Sequence, residues 1–243
     1  MRMRIAGAAL RLTMVTALVL GLTGCSKAES YRYKLTLAVN TPDGVKRGSS
    51  VVEVLFWEVS VPARGIQHKL RGEALYLDLG PGRRPLIALL TSHLHPKYGE
   101  EERWTRDAGP GDNLLSRLYG PRSANLLEDV SRIARMRGAH EISPRDLPDL
   151  VTFANTEDPK SVVEVDPNNL QATLGANITW DKVLLESTDE PVTAGIELKL
   201  PWLPTYFQRN LRLDGSNHGA KRQISNMLSW DDFDQAADLK RSN

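Results

Sequence analysis

Tyr31-Arg-Tyr-Lys-Leu-Thr-Leu-Ala-Val39 (YRYKLTLAV) changes chemistry at nearly every step. Tyr31, Tyr33, Leu35, Leu37 and Val39 share one side of an extended chain, while Arg32, Lys34 and Thr36 share the other. That period of two is the pattern of a half-buried strand. Downstream, Thr41-Pro42-Asp43-Gly44 is turn chemistry, since proline presets its own φ and glycine accepts a positive one. A second strand is expected from Ser50 to Val61 (SVVEVLFWEVSV), rich in branched and aromatic residues. The pair reads as a hairpin with a loop of several residues.

Further along, Leu75, Leu77 and Leu79 alternate with Ala74, Tyr76 and Asp78, so a third strand is expected from Glu73 to Leu79. Pro81-Gly82 turns the chain, and Leu86 to Leu90 (LIALL) is a buried run that suits strand or helix. Neighbouring strands joined by short turns favour antiparallel pairing. Residues 96 to 121 are rich in glycine, proline and charge, with a short helix expected at Asn113 to Tyr119. Ser123 to Arg137 places Leu126, Leu127, Val130, Ile133 and Ala134 on one helical side, with Gly138 as its stop. Arg132, Arg135 and Arg137 complement the dipole at its carboxyl end.

The second half returns to strands at Leu150 to Phe153, Ile178 to Ser187 and Gly195 to Leu200. Asp166-Pro167 opens a helical turn that Gly175 ends, with Asp166 as cap and Pro167 in first position. Thr188 to Pro191 is a turn. The prolines on either side of Trp202 are expected to stop regular structure, and the tail from Gly215 is expected to be disordered except near Trp230 and Phe233. The fold class is therefore α+β: mainly antiparallel β-sheet, one amphipathic helix and short helical turns. The expected organisation is residues 1–24 as a leader, 25–30 as a tether, 31–214 as a single domain and 215–243 as a tail.

The leader carries the clearest functional signal. Met1-Arg2-Met3-Arg4 is basic, Leu12 to Leu22 (LTMVTALVLGL) is apolar apart from two threonines, and Leu22-Thr23-Gly24-Cys25 follows. A spanning helix needs about 20 apolar residues, and this run is about half that, so the layout is that of a signal peptide. Leu22, Thr23, Gly24 and Cys25 resemble the lipobox of bacterial lipoproteins, position for position. The resemblance implies cleavage between Gly24 and Cys25, a diacylglyceryl group on the Cys25 sulfur and an N-acyl group on its new amino terminus. No other cofactor is expected. Ser26, rather than Asp, follows the cysteine; by analogy with enteric retention signals this favours the outer membrane, facing the periplasm, in a host that has one.

Cys25 is the chain's one cysteine, so no disulfide can form within it. Without residues 1 to 24, which carry Arg2, Arg4 and Arg11, 28 basic residues face 30 acidic ones, a balance of −2. That near-neutral surface argues against nucleic acid as a partner. The expected partners are the membrane, through the anchor, and another envelope protein. From Tyr31 to Leu203 the chain also resembles, loosely, uncharacterised proteobacterial proteins with a YRY strand, a GEA strand, an LVTF…VDP segment and a TDEPVT…PWL ending; no activity comes with that resemblance.

Catalytic signatures are sparse. His93-x-His95 would place two imidazoles on one side of an extended chain, with Glu100, Glu101 and Glu102 downstream, but a metal needs three or four ligands and Pro96 suggests a solvent loop. Surface histidines are the expectation. Glu157, Asp158, Asp166, Asp181, Asp189 and Glu190 read as turn and cap residues rather than paired acids. Phe56 and Trp57 straddle two faces of their strand, so one of them is expected to be exposed. No nucleophile elbow or phosphate-binding glycine loop is present. The expected role is thus a non-enzymatic binding or structural one at the cell envelope; the alternative is an envelope hydrolase or metal-dependent enzyme using His93 and His95.

Overall fold

A computed structural model describes residues 27–59, 65–92, 114–219 and 223–236. Among the described residues, two antiparallel sheets and five short α-helices confirm the α+β class. The strands are β1 (Ala28–Thr41), β2 (Gly44–Glu58), β3 (Ile66–Arg71), β4 (Leu75–Leu77), β5 (Leu86–Ala88), β6 (His140–Glu141), β7 (Leu150–Phe153), β8 (Val162–Glu164) and β9 (Thr179–Ser187). The larger sheet runs β3-β2-β1-β9-β6 and the smaller β4-β5-β7-β8. The helices are α1 (Leu114–Tyr119), α2 (Leu126–Ala134), α3 (Leu170–Leu174), α4 (Leu203–Arg209) and α5 (Ile224–Met227).

The alternation in YRYKLTLAV sets the layering. Tyr31, Tyr33, Leu35, Leu37 and Val39 are all buried, none more than 4% exposed. At about 1.5–3 kcal/mol for each large apolar side chain withdrawn from water, that one stripe commits β1 to the centre of the larger sheet. The inner face of β1 is covered by α2, through Leu127, Val130 and Ile133, and by the smaller sheet. Asn125 caps α2 by accepting a hydrogen bond from the Leu127 amide at 3.1 Å.

The hairpin is tighter and longer than the expected loop of several residues. β1 begins at Ala28, inside the expected tether, and β2 begins at Gly44, so Pro42 and Asp43 alone make the turn. Thr41 holds it: its hydroxyl donates to the Gly44 carbonyl at 2.7 Å and accepts from the Asp43 amide at 3.2 Å. Gly44 takes φ +100°, a conformation that a side chain would strain.

Small residues on the inner face of β2 let the second sheet approach. Gly48 pairs with Leu37, and a Cβ there would lie 3.3 Å from Leu77 Cδ1 and 3.4 Å from the Tyr76 carbonyl. Two residues on, the Ser50 hydroxyl donates to the Glu73 carbonyl at 2.6 Å. The β3 strand ends at Arg71, opposite Glu53, and Gly72 turns the chain onto the smaller sheet. Past that point Thr193 replaces the missing strand: its amide donates to the Val51 carbonyl at 3.0 Å and its hydroxyl accepts from the Val51 amide at 2.8 Å.

The smaller sheet is buried on both faces. Leu75, Leu77, Leu86, Ala88 and Leu150 join the core under the larger sheet, whereas Ile87, Val151 and Phe153 face a second core. That second core is completed by the carboxyl-terminal segment: Leu213, Leu228 and Phe233 are each 0% exposed. The expectation of a domain ending at 214 is corrected accordingly, because residues 223–236 include α5 and buried side chains. The aromatic residues recruit the segment, and its backbone is then paired: Ala74 N–H donates to the Phe233 carbonyl and Gln235 N–H to the Gly72 carbonyl, both at 2.8 Å.

Three local readings also change. Gly195 to Leu200 is a 3-10 turn (Ile196–Leu198), not a strand. Two prolines do not stop the chain, since Pro204 lies in the first turn of α4, where the missing N–H costs nothing. Asn169, rather than Asp166, caps α3, which Gly175 ends at φ +109°. The strands β3, β6 and β8 carry little sequence signal: IQHKLR lacks a clean alternation, and the other two are three residues or shorter. LIALL forms strand β5.

Candidate functional site

Leu22, Thr23, Gly24 and Cys25 lie outside the described residues, as do His93, His95 and Glu100 to Glu102. What the structure does define is the foot of the histidine segment. The Thr91 hydroxyl donates to the buried carboxylate of Asp232, the Leu90 amide donates to the Asp232 carbonyl at 3.0 Å, and the Asp149 amide donates to the Thr91 carbonyl at 3.1 Å. Asp149 and Asp232 are each 1% exposed. Neither was singled out in the sequence, because Asp149 reads as the approach to a strand and Asp232 lies in the expected tail.

Of the acids nominated in the sequence, Asp158 and Asp166 sit in turns, Asp181 in a strand, and Asp189 and Glu190 on the surface. Asp158 accepts from the Lys160 amide at 3.0 Å and Asp166 from the Asn168 amide at 2.8 Å. Asp181 is the extra residue where β9 bulges against β1, and it pairs with Arg47 at 3.4 Å. Glu190 meets Lys34 at 2.6 Å, and Asp189 meets Arg137.

A carboxylate group does assemble elsewhere. Glu73, Glu197 and Asp234 each place a carboxylate oxygen within 4.8 Å of the others. Three such oxygens match the taste of a hard divalent cation. Yet Glu73, 1% exposed, spends both of its oxygens on backbone: Oε1 accepts from Gly195 N–H at 2.9 Å and Oε2 from Ile196 N–H at 2.7 Å. These bonds satisfy the buried charge and dock the 195–198 turn onto the smaller sheet, so the chemistry of Glu73 is that of a structural capping carboxylate. The sequence concealed it, since its partners lie 122 and 123 residues away.

An open cleft of about 350 Å³ lies between α1, β6 and β9. Leu114, Leu118, Ile142 and Leu185 make its apolar wall, and Arg117, paired with Asp146 at 2.7 Å, its charged one. At the end of α1 the Tyr119 ring meets His140 edge-on at 5.5 Å. Burial, and then the nearby Glu186, raise the Tyr119 pKa above its ordinary value, so the phenol stays neutral at physiological pH. The cleft offers a mixed apolar and charged surface, and among its described lining residues no nucleophile is paired with a base.

The outer face of the larger sheet is organised by charge. Arg32, Glu53 and Arg71 form one cross-strand row on β1, β2 and β3, with Glu53 3.5 Å from Arg32 and 2.9 Å from Arg71. Toward the beginning of β1 the same face changes: Ser30 pairs with Leu55, and Ala28 with Trp57, whose neighbours on β3 are Lys69 and Gln67. The two aromatics that straddle β2 separate, with Phe56 6% exposed in the core and Trp57 half-buried on the outer face.

Among the described residues no helix is long and apolar enough to cross a membrane. Comparison with known proteins finds no matching family model, no matching curated protein and no matching solved structure.

Proposed function

We propose that this protein is a lipid-anchored lipoprotein of the cell envelope whose folded domain has a binding or structural role. The observation that carries the reading is the order of signals in residues 1 to 25: a basic start, a short apolar run, then Leu22-Thr23-Gly24-Cys25. At about 0.8 kcal/mol per buried methylene, two or three acyl chains on Cys25 hold the protein to the bilayer without need of a basic patch. Given that anchor, β1, which starts at Ala28, is separated from the modified cysteine by two residues, so the domain would be carried at the membrane surface. Ser26 favours the outer membrane, facing the periplasm, and another envelope protein is the natural partner for a domain displayed in this way.

The test is metabolic labelling with a clickable fatty acid, followed by mass spectrometry of the mature chain. The wild type takes up label and begins at Cys25, and Cys25→Ala loses the label. Equal labelling of the two refutes the reading. The second reading, a metal-dependent envelope hydrolase with His93 and His95 as ligands, rests on the H-x-H spacing. Stoichiometric metal in the purified chain that is lost in His93→Ala would favour it.

A further inference from the structure

The tether is short enough to decide which surface meets the lipid. From Cα of Cys25 to Cα of Ala28 there are three virtual bonds of 3.8 Å, so the start of β1 lies at most about 11 Å from the anchored cysteine. The headgroup region of one leaflet is about 5–7 Å deep. An acylated Cys25 therefore brings the first residues of β1, and whatever pairs with them, into or onto the headgroup layer.

What pairs with them is Trp57. It sits opposite Ala28, half-buried on the outer face of the sheet, with Leu55 opposite Ser30 one step further along. Four tryptophans are described, and three donate their indole N–H to the protein: Trp180 to the Pro167 carbonyl at 2.8 Å, Trp202 to the Thr156 carbonyl at 3.1 Å and Trp230 to Asn210 at 3.2 Å. Among the described residues Trp57 has no such acceptor. A partly buried indole with an apolar body and an N–H left for solvent is the arrangement that favours the lipid–water boundary.

The chemistry around it agrees. On this end of the outer face the described neighbours are Ala28, Ser30, Leu55, Gln67 and Lys69, with no acid among them. The first carboxylate on that face is Glu53, two positions beyond Leu55 and neutralised by Arg32 and Arg71. On the outer face a phospholipid headgroup layer therefore meets Trp57, Leu55 and Lys69 before that neutralised row, while Glu29 and Glu58 at the same end lie in register on the opposite face.

We propose that this end of the β1–β2–β3 outer face is a second, non-covalent membrane contact, with the Trp57 indole at headgroup level against phospholipid. The proposal rests on acylation of Cys25, and its test separates the two. Mature acylated protein, its lipidation verified by mass, is reconstituted into phosphatidylcholine–phosphatidylethanolamine vesicles carrying bromine at a shallow acyl position. Part of the tryptophan emission is quenched in the wild type, and Trp57→Phe loses most of that quenchable component. A nitroxide on Gln67→Cys, the one free thiol once Cys25 is acylated, reports the same contact independently of Trp57 and gains accessibility to oxygen over a polar nickel reagent when vesicles are present. Equal quenching of wild type and Trp57→Phe, or a nitroxide indifferent to vesicles, in protein of confirmed lipidation, overturns the contact while leaving the anchor standing. A mature chain without lipid overturns both.

Discussion

Replacing Phe233 with alanine asks whether the carboxyl-terminal segment is an appendage or part of the core. The ring is 0% exposed and lies 5.5 Å from Trp202 and 5.9 Å from Phe153, both measured between ring centroids. Its backbone ties the segment to the smaller sheet through Ala74. Truncating a fully buried phenylalanine typically costs about 3–5 kcal/mol, the sum of lost transfer energy and an incompletely collapsed cavity. Here the expected value lies toward the upper end, because two aromatic contacts are lost and the facing residues Ile87 and Val151 belong to strands that cannot easily close the gap. Against a typical total stability of about 5–15 kcal/mol, that is a large fraction. For a chain of this size each kcal/mol moves the Tm by about 2–4 °C, so a fall of about 6–20 °C is expected. Urea unfolding followed both by far-UV circular dichroism and by tryptophan emission measures it, with Leu198→Ala, at an 83% exposed position, as a control that should change stability by less than about 0.5 kcal/mol. A loss below about 1 kcal/mol for Phe233→Ala would refute the second core as a cooperative part of the fold.

Two further outcomes follow from buried charge. Glu73→Ala strips two backbone N–H groups, on Gly195 and Ile196, of their acceptor and should destabilise by about 2–5 kcal/mol in urea titration, with Glu73→Gln recovering part of the loss; an unchanged midpoint would show that the 195–198 turn docks without it. Acid stability should depend on Asp129 and Asp214. Burial alone would raise both carboxyls, but it is outweighed: at Asp129 by the Arg122 and Ser123 amides and the Arg132 guanidinium, at Asp214 by the Ser216 hydroxyl and amide, the Asn226 side chain and Lys160. Both are thus held below the ordinary aspartate value, so the unfolded chain binds more protons than the folded one in that interval. Their stabilisation is complete above the ordinary pKa and is lost as pH falls through the depressed values. The urea midpoint of Asp214→Asn should decline less steeply than that of the wild type across this window, and parallel profiles would count against the mechanism.

How far the site could be read in advance depends on distance along the chain. The proposed anchor signal is a matter of four consecutive residues, Leu22 to Cys25, so it is local and visible. The carboxylates of Glu73 and Asp232 are not, since each acquires meaning only from partners far away in sequence: Gly195 and Ile196 for one, Thr91 for the other. The nearest local hint at Glu73 was its neighbour Gly72, and at Asp232 the flanking Trp230 and Phe233. Trp57 reads as straddling a strand, but its partner Ala28 falls in residues read as tether, so the pairing on which the proposed membrane contact rests is not visible in the sequence.

Periodicity alone determined the central hairpin, the amphipathic helix α2 and the antiparallel α+β class, because alternation over nine residues or a stripe over three turns is a property of neighbouring side chains. Only the tertiary structure decided that the strands divide into two sheets, that Gly195 to Leu200 tightens into a 3-10 turn, and that residues 223–236 belong to the core. Those outcomes are set by burial against surfaces contributed from elsewhere. Leu228 and Phe233 are too few to make a pattern of their own, and it is the apolar second face of the smaller sheet, Ile87, Val151 and Phe153, that makes their ordering favourable.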